Sequence, residues 1–566
     1  MLAGEGGAIV WCLPARAGSH FGHFGGRRGM YSLHDFSHDL RGDLFGGITA
    51  AVVALPLALA FGIASGAGPV AGLYGAIIVG FFAAVFGGTP SQISGPTGPM
   101  TVVMTAMTAS YVAESPEQGL ALAFTTVMLG GCFQILFGLA RLGKYIIMVP
   151  YPVISGFMSG IGAIIILLQL SPLLGFAAGG SVVDAVRTLP ARIADPHLPT
   201  LTIGLLTLAI LIVWRGRPAR AMPSPLLGLI VATLAAQFFF AADGVERIGE
   251  IPTALPTLQP ITFEAGQLQD MVVNALMLAV LGAIDSLLTS LVADNVTGTH
   301  HDSDRELIGQ GIGNSLAGLL GGLPGAGATM RTIVNVRAGG SGPLSGAVHA
   351  LLLLAIVTGL GRFFEAIPLA ALAGILVKVG IDIVDWPFLR RVHRIPPFPV
   401  ALMMLVFALT VFVDLITAVF IGVFVKNLVT IEKLSHLQLG SVVLSDGTRG
   451  GEALTESERR QLVAGGGETV LLRITGPVSY GVGRGLKQRA QQFGESRVLV
   501  VDISAATIIG VSTLIVLEEL VRGTLARGAA VKLIGAPGSA AGAFEQVRLR
   551  ELVGDDNCVG ALADAC

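Results

Sequence analysis

Of 566 residues, 53% are hydrophobic and 13% charged, where an average soluble protein carries roughly a quarter charged residues. That is the balance of a membrane protein; the net charge of −2 says little by itself, and no nucleic-acid partner is indicated. The four cysteines, Cys12, Cys132, Cys558 and Cys566, form no spaced framework, which argues against a disulfide scaffold and against a zinc site.

Residues 1–29 hold His, Gly and Arg27-Arg28 but no apolar core ending in a cleavage site, so they do not read as a signal peptide. The expectation is that Met30 is the real start and that 1–29 are an upstream misreading or a disordered extension. A long apolar part, 30–431, follows, in which 44–63, 121–140 and 271–293 are clear spans, each near the ~20 residues a helix needs to cross a bilayer. Continuous apolarity without alternation favours helices over a barrel. Roughly fourteen spans are expected, with basic clusters at Arg141/Lys144, Arg215/Arg217/Arg220, Arg337, Arg390/Arg391/Arg394 and Lys426 on the cytoplasmic side and both termini inside.

The stretch GGTPSQISGPTGPMTVV at 87–103 interrupts this apolar chain, and GGLPGAGATMRTIV at 321–334 nearly repeats it. Each runs from Gly-Gly-x-Pro through small residues to a Thr-hydrophobic-Val run, Thr101-Val102-Val103 in one and Thr332-Ile333-Val334 in the other. The recurrence suggests an internal repeat, about 40–241 and 270–431. An odd number of spans per half, about seven, would invert the second copy. Inverted-repeat transporters build a midplane site from discontinuous helices. Here Pro96 and Pro99 terminate the extended segment and Gly98 allows close approach. A helix starting there would aim about half a positive charge at a small anion; the bland alternative is that Gly and Pro merely kink packed helices.

Asp285 is the only charge between Met271 and Ala293, and Thr289 lies four residues on, on the same helix face. A carboxylate at a span centre costs about 2.5–3.5 kcal/mol on insertion scales, so it should face a cavity or a partner. With Thr289 it would suit a hard cation such as Na⁺, a transported proton, or a structural interhelical hydrogen bond. Arg331 follows Thr329 in the second broken element. It would either approach Asp285 as a counter-charge or snorkel to the cytoplasmic surface.

Other groups carry less. Lys378 and Asp382 read as an ion pair at a helix end, and His300-His301 with Asp302 and Asp304 read as a solvated loop rather than a metal site. Gly481-x-Gly483-x-Gly485 lacks the Lys-Ser/Thr of a P-loop, and no nucleophile, transition-metal site or cofactor motif supports an enzyme. From Glu432 onward charge increases and short strand-like runs appear, 470–474, 498–502 and 531–534, with a helix at 512–527 between them. A small α/β domain over 437–566 is expected there, on the cytoplasmic side.

Several runs together resemble the SulP family of inorganic-anion transporters with its C-terminal STAS domain: Gly42-Asp43-Leu44-Phe45-Gly46-Gly47, Ala60-Phe61-Gly62-Ile63-Ala64-Ser65-Gly66, Pro96-Thr97-Gly98-Pro99-Met100-Thr101-Val102, Ala283-Ile284-Asp285-Ser286-Leu287-Leu288-Thr289 and Leu323-Pro324-Gly325-Ala326-Gly327-Ala328-Thr329. The likeness covers nearly everything after Met30 and is greatest to the family's sodium-dependent bicarbonate transporters. It implies a polytopic α-helical fold of seven-plus-seven inverted repeats. A core domain would move against a gate domain in an elevator-like way, and STAS would assist dimerisation. By matching position, Thr97, Ala328 and Thr329, with Gly98 at the helix start, would line the anion site. Asp285, Thr289, Gly327 and Thr329 would hold Na⁺ as the co-transported ion, with no cofactor, in the inner (plasma) membrane. The competing expectations are a proton-coupled sulfate or dicarboxylate symporter with Asp285 as proton carrier, and an anion-binding sensor or scaffold signalling through STAS. Ser512, in Ile508-Ile509-Gly510-Val511-Ser512-Thr513, lacks the acidic residue preceding the phosphorylated Ser of anti-sigma antagonists, so a structural or docking role is the better expectation there.

Overall fold

In lipid every backbone polar group must be satisfied within the protein, which leaves helices as the default. The computed structural model describes residues 39–565, apart from 147–148, 178–181, 215–221, 241–243, 250–254, 265, 361–363, 414, 450–453, 465–467, 479–481, 484, 488–496 and 536–547. The expected extension at 1–29, Met30, Cys12, Cys566 and the cluster Arg215/Arg217/Arg220 therefore lie outside the described residues. Two compact units emerge, Met1–Gly422 and Val423–Cys566.

The first half of the first unit runs α1 (Leu40–Ala64), α2 (Pro69–Phe86), β1 (Ser94–Gly95), α3 (Gly98–Glu114), α4 (Gly119–Leu139), α5 (Tyr151–Leu173), α6 (Val182–Ala194), α7 (Leu198–Val213) and α8 (Ser224–Phe239). The second half runs α9 (Leu268–Thr297), α10 (Ser303–Leu319), β2 (Ala326–Gly327), α11 (Thr329–Arg337), α12 (Pro343–Leu360), α13 (Leu369–Ile383) and α14 (Pro397–Phe412), and α15 (Leu415–Gly440) begins in this unit and continues into the next. Of the three spans read from sequence, 44–63 and 271–293 fall within α1 and α9, and 121–140 overruns α4 by one residue. Among the described residues five helices, α1, α2, α4, α5 and α9, are long and apolar enough to cross a membrane. The count reaches six if α6 and α7, bent by 112°, form one span. Length and apolarity alone therefore do not establish the expected count of about fourteen; α8, α12 and α14 are apolar but shorter, and α3 and α11, of 17 and 9 residues, each follow a non-helical segment.

Packing sorts these helices into two groups. α1–α4 and α9–α12 pack mainly on one another, whereas α5, α7, α8, α13 and α14 form the other group. Each half thus contributes its early helices to one group and its later helices to the other, the core-and-gate division that the family resemblance implies. The tightest pairing, α4 with α10, depends on missing side chains. A Cβ added at Gly311 would stand 2.6 Å from the Gly131 carbonyl oxygen and 2.7 Å from the Ile135 amide nitrogen. Lipid gives no hydrophobic drive between helices, so such close backbone approach is what holds them.

The change in composition at Glu432 falls inside α15, which continues to Gly440. In the C-terminal unit follow β3 (Val442–Ser445), α16 (Glu456–Ala464), β4 (Thr469–Ile474), β5 (Gly476–Val478), β6 (Val498–Asp502), β7 (Ala506–Ile509), α17 (Val511–Ala526), β8 (Ala530–Ile534) and β9 (Cys558–Val559). Five strands form one sheet in the order β3-β4-β6-β8-β9, antiparallel only at β3–β4. Alternate residues face opposite sides: Val470, Leu472, Leu499 and Val501 join Leu514, Leu517 and Val521 of α17, while Leu471 and Val500 pack with Leu462 of α16. Each strand and the helix expected from sequence lies where it was placed, to within a residue or two at the ends. Arg473 ties the sheet to α16, pairing with Glu458 at 2.6 Å and Asp502 at 2.7 Å.

Gly311→Ala should lower the stability of the membrane unit by about 1–3 kcal/mol, the usual cost of overpacking, read as a fall in Tm of the purified protein. In the C-terminal unit, the hydrogen bond from Arg473 holds the Glu458 carboxyl at about 2, below its ordinary 4.5. The stabilisation from a depressed carboxylate is fully present above the unfolded value and is lost as pH falls from about 4.5 towards 2. Arg473→Met should therefore lower the Tm of this unit at pH 7 and flatten its acid dependence over that window, as thermal melts at pH 7, 4 and 3 would show.

Candidate functional site

Both interruptions become the same local structure. After α2 the chain leaves helix through 87–97, turning at 90–91, and after α10 through 321–328, turning at Gly321. The two meet as an antiparallel pair, Ser94 opposite Gly327 and Gly95 opposite Ala326. The Ala328 amide adds a bond to the Ile93 carbonyl at 2.9 Å, and the Ile93 amide donates to Thr332 Oγ1 at 3.0 Å. Asn314 of α10 brackets Gly325, donating to its carbonyl at 2.9 Å and accepting from its amide at 2.7 Å. Gly95 has φ +147°, and a Cβ there would meet Arg331 Nη1 at 2.8 Å, so only glycine fits this position.

From this crossing α3 starts at Gly98, with Thr97 before it and Pro99 in its first turn; α11 starts at Thr329, with Ala328 before it. Neither start has a side-chain cap, so first-turn N–H groups and the positive dipole ends remain available to a ligand. Gly98 does not admit another backbone as expected. A Cβ there would meet the side-chain ends of Ile383 at 2.7 Å and Ile165 at 2.9 Å, which come from α13 and α5 of the other helix group.

One face of α9 lies against this crossing. Asp285, Ser286, Thr289 and Ser290 are all buried. Thr289 Oγ1 donates to the Gly327 carbonyl at 2.9 Å and lies 2.7 Å from Thr329 Oγ1, while Ser286 Oγ accepts from the Gly327 amide at 3.0 Å. The structure thus brings Thr289, Gly327 and Thr329 into direct contact, with Asp285 one turn earlier on the same helix face. The Thr97 hydroxyl and the Arg331 guanidinium act on the Asp285 carboxylate. Even so, Asp285 Oδ2 and Thr97 Oγ1 are buried without a formed hydrogen bond. Buried polar atoms are almost always paired in native structures, so two facing orphans mark a place for an occupant.

Arg331 does not snorkel. It is 3% exposed, and Nη2 donates to the Pro96 carbonyl at 2.6 Å. Among the described residues it forms no ion pair with Asp285. Its hydrogen bond goes to the chain just before α3, so Arg331 influences Asp285 through its charge alone and leaves Asp285 Oδ2 without a bonded partner.

The weaker candidates resolve as structural. Lys378 pairs with Asp382 at 2.5 Å on α13. His301 lies 2.7 Å from Asp294 and 3.0 Å from Ser303, Asp302 caps α10, and Asp304 accepts from the Gly143 amide at 3.1 Å. No group of three metal-ligating side chains occurs among the described residues. Gly483 and Gly485 are helical and Gly481 lies outside the described residues; Ser512 is exposed in the first turn of α17. Sequence reasoning missed Glu306, Gln92 and Gln310, all buried beside the crossing. Glu306 follows Asp302, Asp304 and Arg305, a run of charge that reads as solvated; the signal against that reading was the apolar and glycine-rich helix that continues from it.

Comparison with known proteins adds a second line. The sulfate permease family model matches residues 40–406 and the STAS domain model residues 461–565. Over 499 residues the chain is 47% identical to the bicarbonate transporter BicA of Synechocystis, covering 88% of each protein. It is 33% identical over 375 residues to the putative sulfate transporter YvdB of Bacillus subtilis, covering 65% of this chain and 69% of the relative. The solved transmembrane domain of a cyanobacterium bicarbonate transporter BicA superposes with TM-score 0.64 at 52% identity, covering 67% of this chain and 97% of that one. SLC26A9 shares the fold over 94% of this chain and 90% of its own, with TM-score 0.78 at 18% identity.

Thr289→Val keeps the side-chain shape and removes both of its oxygen contacts. It leaves the buried Gly327 carbonyl and Thr329 hydroxyl short of a partner, which should cost about 1–3 kcal/mol, measurable as a drop in Tm without change in helical content by circular dichroism.

Proposed function

This chain belongs to the sulfate permease family and ends in a STAS domain, and from that premise we propose that it is a secondary transporter that imports bicarbonate together with Na⁺. The observation that carries the reading is the pair of buried, unpartnered oxygens, Asp285 Oδ2 and Thr97 Oγ1, lying where two uncapped helix starts and the Thr289–Gly327–Thr329 oxygen cluster meet. Support for the substrate comes from the two relatives named bicarbonate transporter, at 47% and 46% identity.

The physics of coupling follows from the charges. Asp285 alone repels an anion from the α3 and α11 starts. Na⁺ held by Asp285, Thr289, Thr329 and the Gly327 carbonyl, all hard oxygen donors, cancels that repulsion. The helix ends at Gly98 and Thr329, with the Thr97 hydroxyl and the backbone at Ala328, then face a bicarbonate in a site of net positive potential. Each ion raises the affinity for the other, and linkage makes the effect reciprocal. Arg331 supports this assignment because its partner is Pro96 rather than Asp285. Translocation would be elevator-like, the crossing travelling with the α1–α4/α9–α12 group past the other helices. In this reading the protein lies in the inner (plasma) membrane, with both termini and STAS cytoplasmic and two copies associating through STAS.

A second reading, proton-coupled transport of sulfate or a dicarboxylate with Asp285 as proton carrier, uses the same orphan carboxylate oxygen and draws on the likeness to the putative sulfate transporter YvdB. One assay separates them: uptake of labelled bicarbonate and sulfate into proteoliposomes, with an inward Na⁺ gradient or a proton gradient, for the parent and Asp285→Asn. The expected result is Na⁺-dependent bicarbonate uptake that falls at least about ten-fold in Asp285→Asn, the equivalent of ~1.4 kcal/mol. Sulfate uptake driven by protons and indifferent to Na⁺ would replace this reading with the second.

A further inference from the structure

Glu306 belongs to no ligand set discussed above, yet it is the carboxylate most completely enclosed by donors beside the crossing. It is 1% exposed, in the first turns of α10. Oε2 accepts from the Gly88 and Thr89 amides, both at 2.9 Å. Oε1 accepts from Gln92 Nε2 at 2.7 Å and Gln310 Nε2 at 2.8 Å. An ionised carboxylate only accepts, so both glutamine amides must turn nitrogen toward it. For Gln92 this fixes the other end: Oε1 points away and accepts at 3.1 Å from Ser290 Oγ, which shares its proton with the Ser286 carbonyl at 3.0 Å and lies 2.7 Å from Thr89 Oγ1. Ser290 is the neighbour of Thr289. The Gln92 amide carbon lies 2.5 Å from where a Cβ on Gly327 would stand, so this side chain braces the residue whose carbonyl Thr289 touches. Through Gln310 the same carboxylate reaches Ser94 of β1, at 2.6 Å.

We propose that Glu306 is the positioning residue of the cation site, orienting Gln92 so that Ser290 on α9 and Gly327 on β2 hold the Thr289 hydroxyl and the Gly327 carbonyl in place for Na⁺. The inference rests on the Na⁺-coupled reading above and adds to it a group that touches neither ion. A glutamine at 306 would present a donor where four donors already converge, and Gln92 would have to rotate and turn nitrogen toward Ser290. Partners standing behind metal ligands typically contribute 10–100-fold to affinity.

The test is initial-rate bicarbonate uptake in proteoliposomes as a function of Na⁺, for the parent, Glu306→Gln and Gln92→Leu, each with its melting temperature. Gln92→Leu keeps the bulk against Gly327 and leaves Glu306 bonded to Gly88, Thr89 and Gln310, so it reports even if Glu306→Gln fails to fold. The expected result is an apparent KM for Na⁺ raised about ten-fold in either folded variant, with kcat at saturating Na⁺ and the KM for bicarbonate unchanged. A parent-like KM for Na⁺ in Gln92→Leu, or a loss of kcat and Tm without any change in that KM, would overturn the inference and leave Glu306 a structural buttress. A parent that transports without responding to Na⁺ would instead remove the reading on which it rests.

Discussion

Everything near the site depends on one short hydrogen-bonded pair, β1 with β2. Extended chain inside a bilayer is forbidden unless its amides and carbonyls find partners in the protein. Each interruption supplies the other's: Ser94 and Gly95 face Gly327 and Ala326, with Ile93, Ala328 and Thr332 continuing the ladder at its edge. Neither segment would be tolerated alone. Because the pair closes after two residues on each strand, the chain returns to helix at once, and two helix starts remain within the membrane unit with their first amides free.

That arrangement also dictates how charge is handled. An ion pair between Arg331 and Asp285 would remove the reason for the proposed cation. The guanidinium instead donates to the Pro96 carbonyl at 2.6 Å, through the gap that Gly95 leaves. Asp285 keeps an unpartnered oxygen while Glu306, a few residues into the next helix, has every acceptor position filled. Two buried carboxylates thus have opposite fates, one open to an ion and one committed to holding the frame.

Much of this was legible in the sequence for physical reasons. Unbroken apolar runs can only be helix, Gly-Pro interruptions cannot continue one, and a single aspartate in an apolar span needs a cavity. Those rules placed the two interruptions, a helix start near Gly98, and the polar pair Asp285 and Thr289 on one helix face, and strand periodicity placed the strands of the C-terminal unit; the pairing of the two interruptions they did not give. What sequence could not reveal depends on partners distant in the chain. Arg331 had two equal destinations until Pro96, 235 positions away, was seen beside it. Glu306 sits in a run of charges whose local context says solvent, and only Gly88 and Thr89, more than two hundred positions earlier, make it interior. The end of the membrane part was similarly hidden, because α15 carries its helix through the change in composition at Glu432.

The pseudo-symmetry of the two halves is most informative where it fails. Thr97 corresponds to Ala328, Gly98 to Thr329 and Thr101 to Thr332, each pair standing at the same step of its helix start. Thr101 bonds back to the Thr97 carbonyl within its own helix at 2.8 Å, whereas Thr332 accepts from Ile93 across the crossing at 3.0 Å. Thr329 turns its hydroxyl to Thr289, but Gly98 has none to offer and is covered instead by Ile383 and Ile165. The α11 start is therefore furnished with oxygens and tied to α9, while the α3 start is bare and faces the other helix group. A duplicated element with identical ends would hold two like ions. These substitutions leave the two helix starts chemically unlike; in the proposed reading the cation lies on the oxygen-furnished α11 side while the anion faces both uncapped starts, an asymmetry that an exact repeat would not supply.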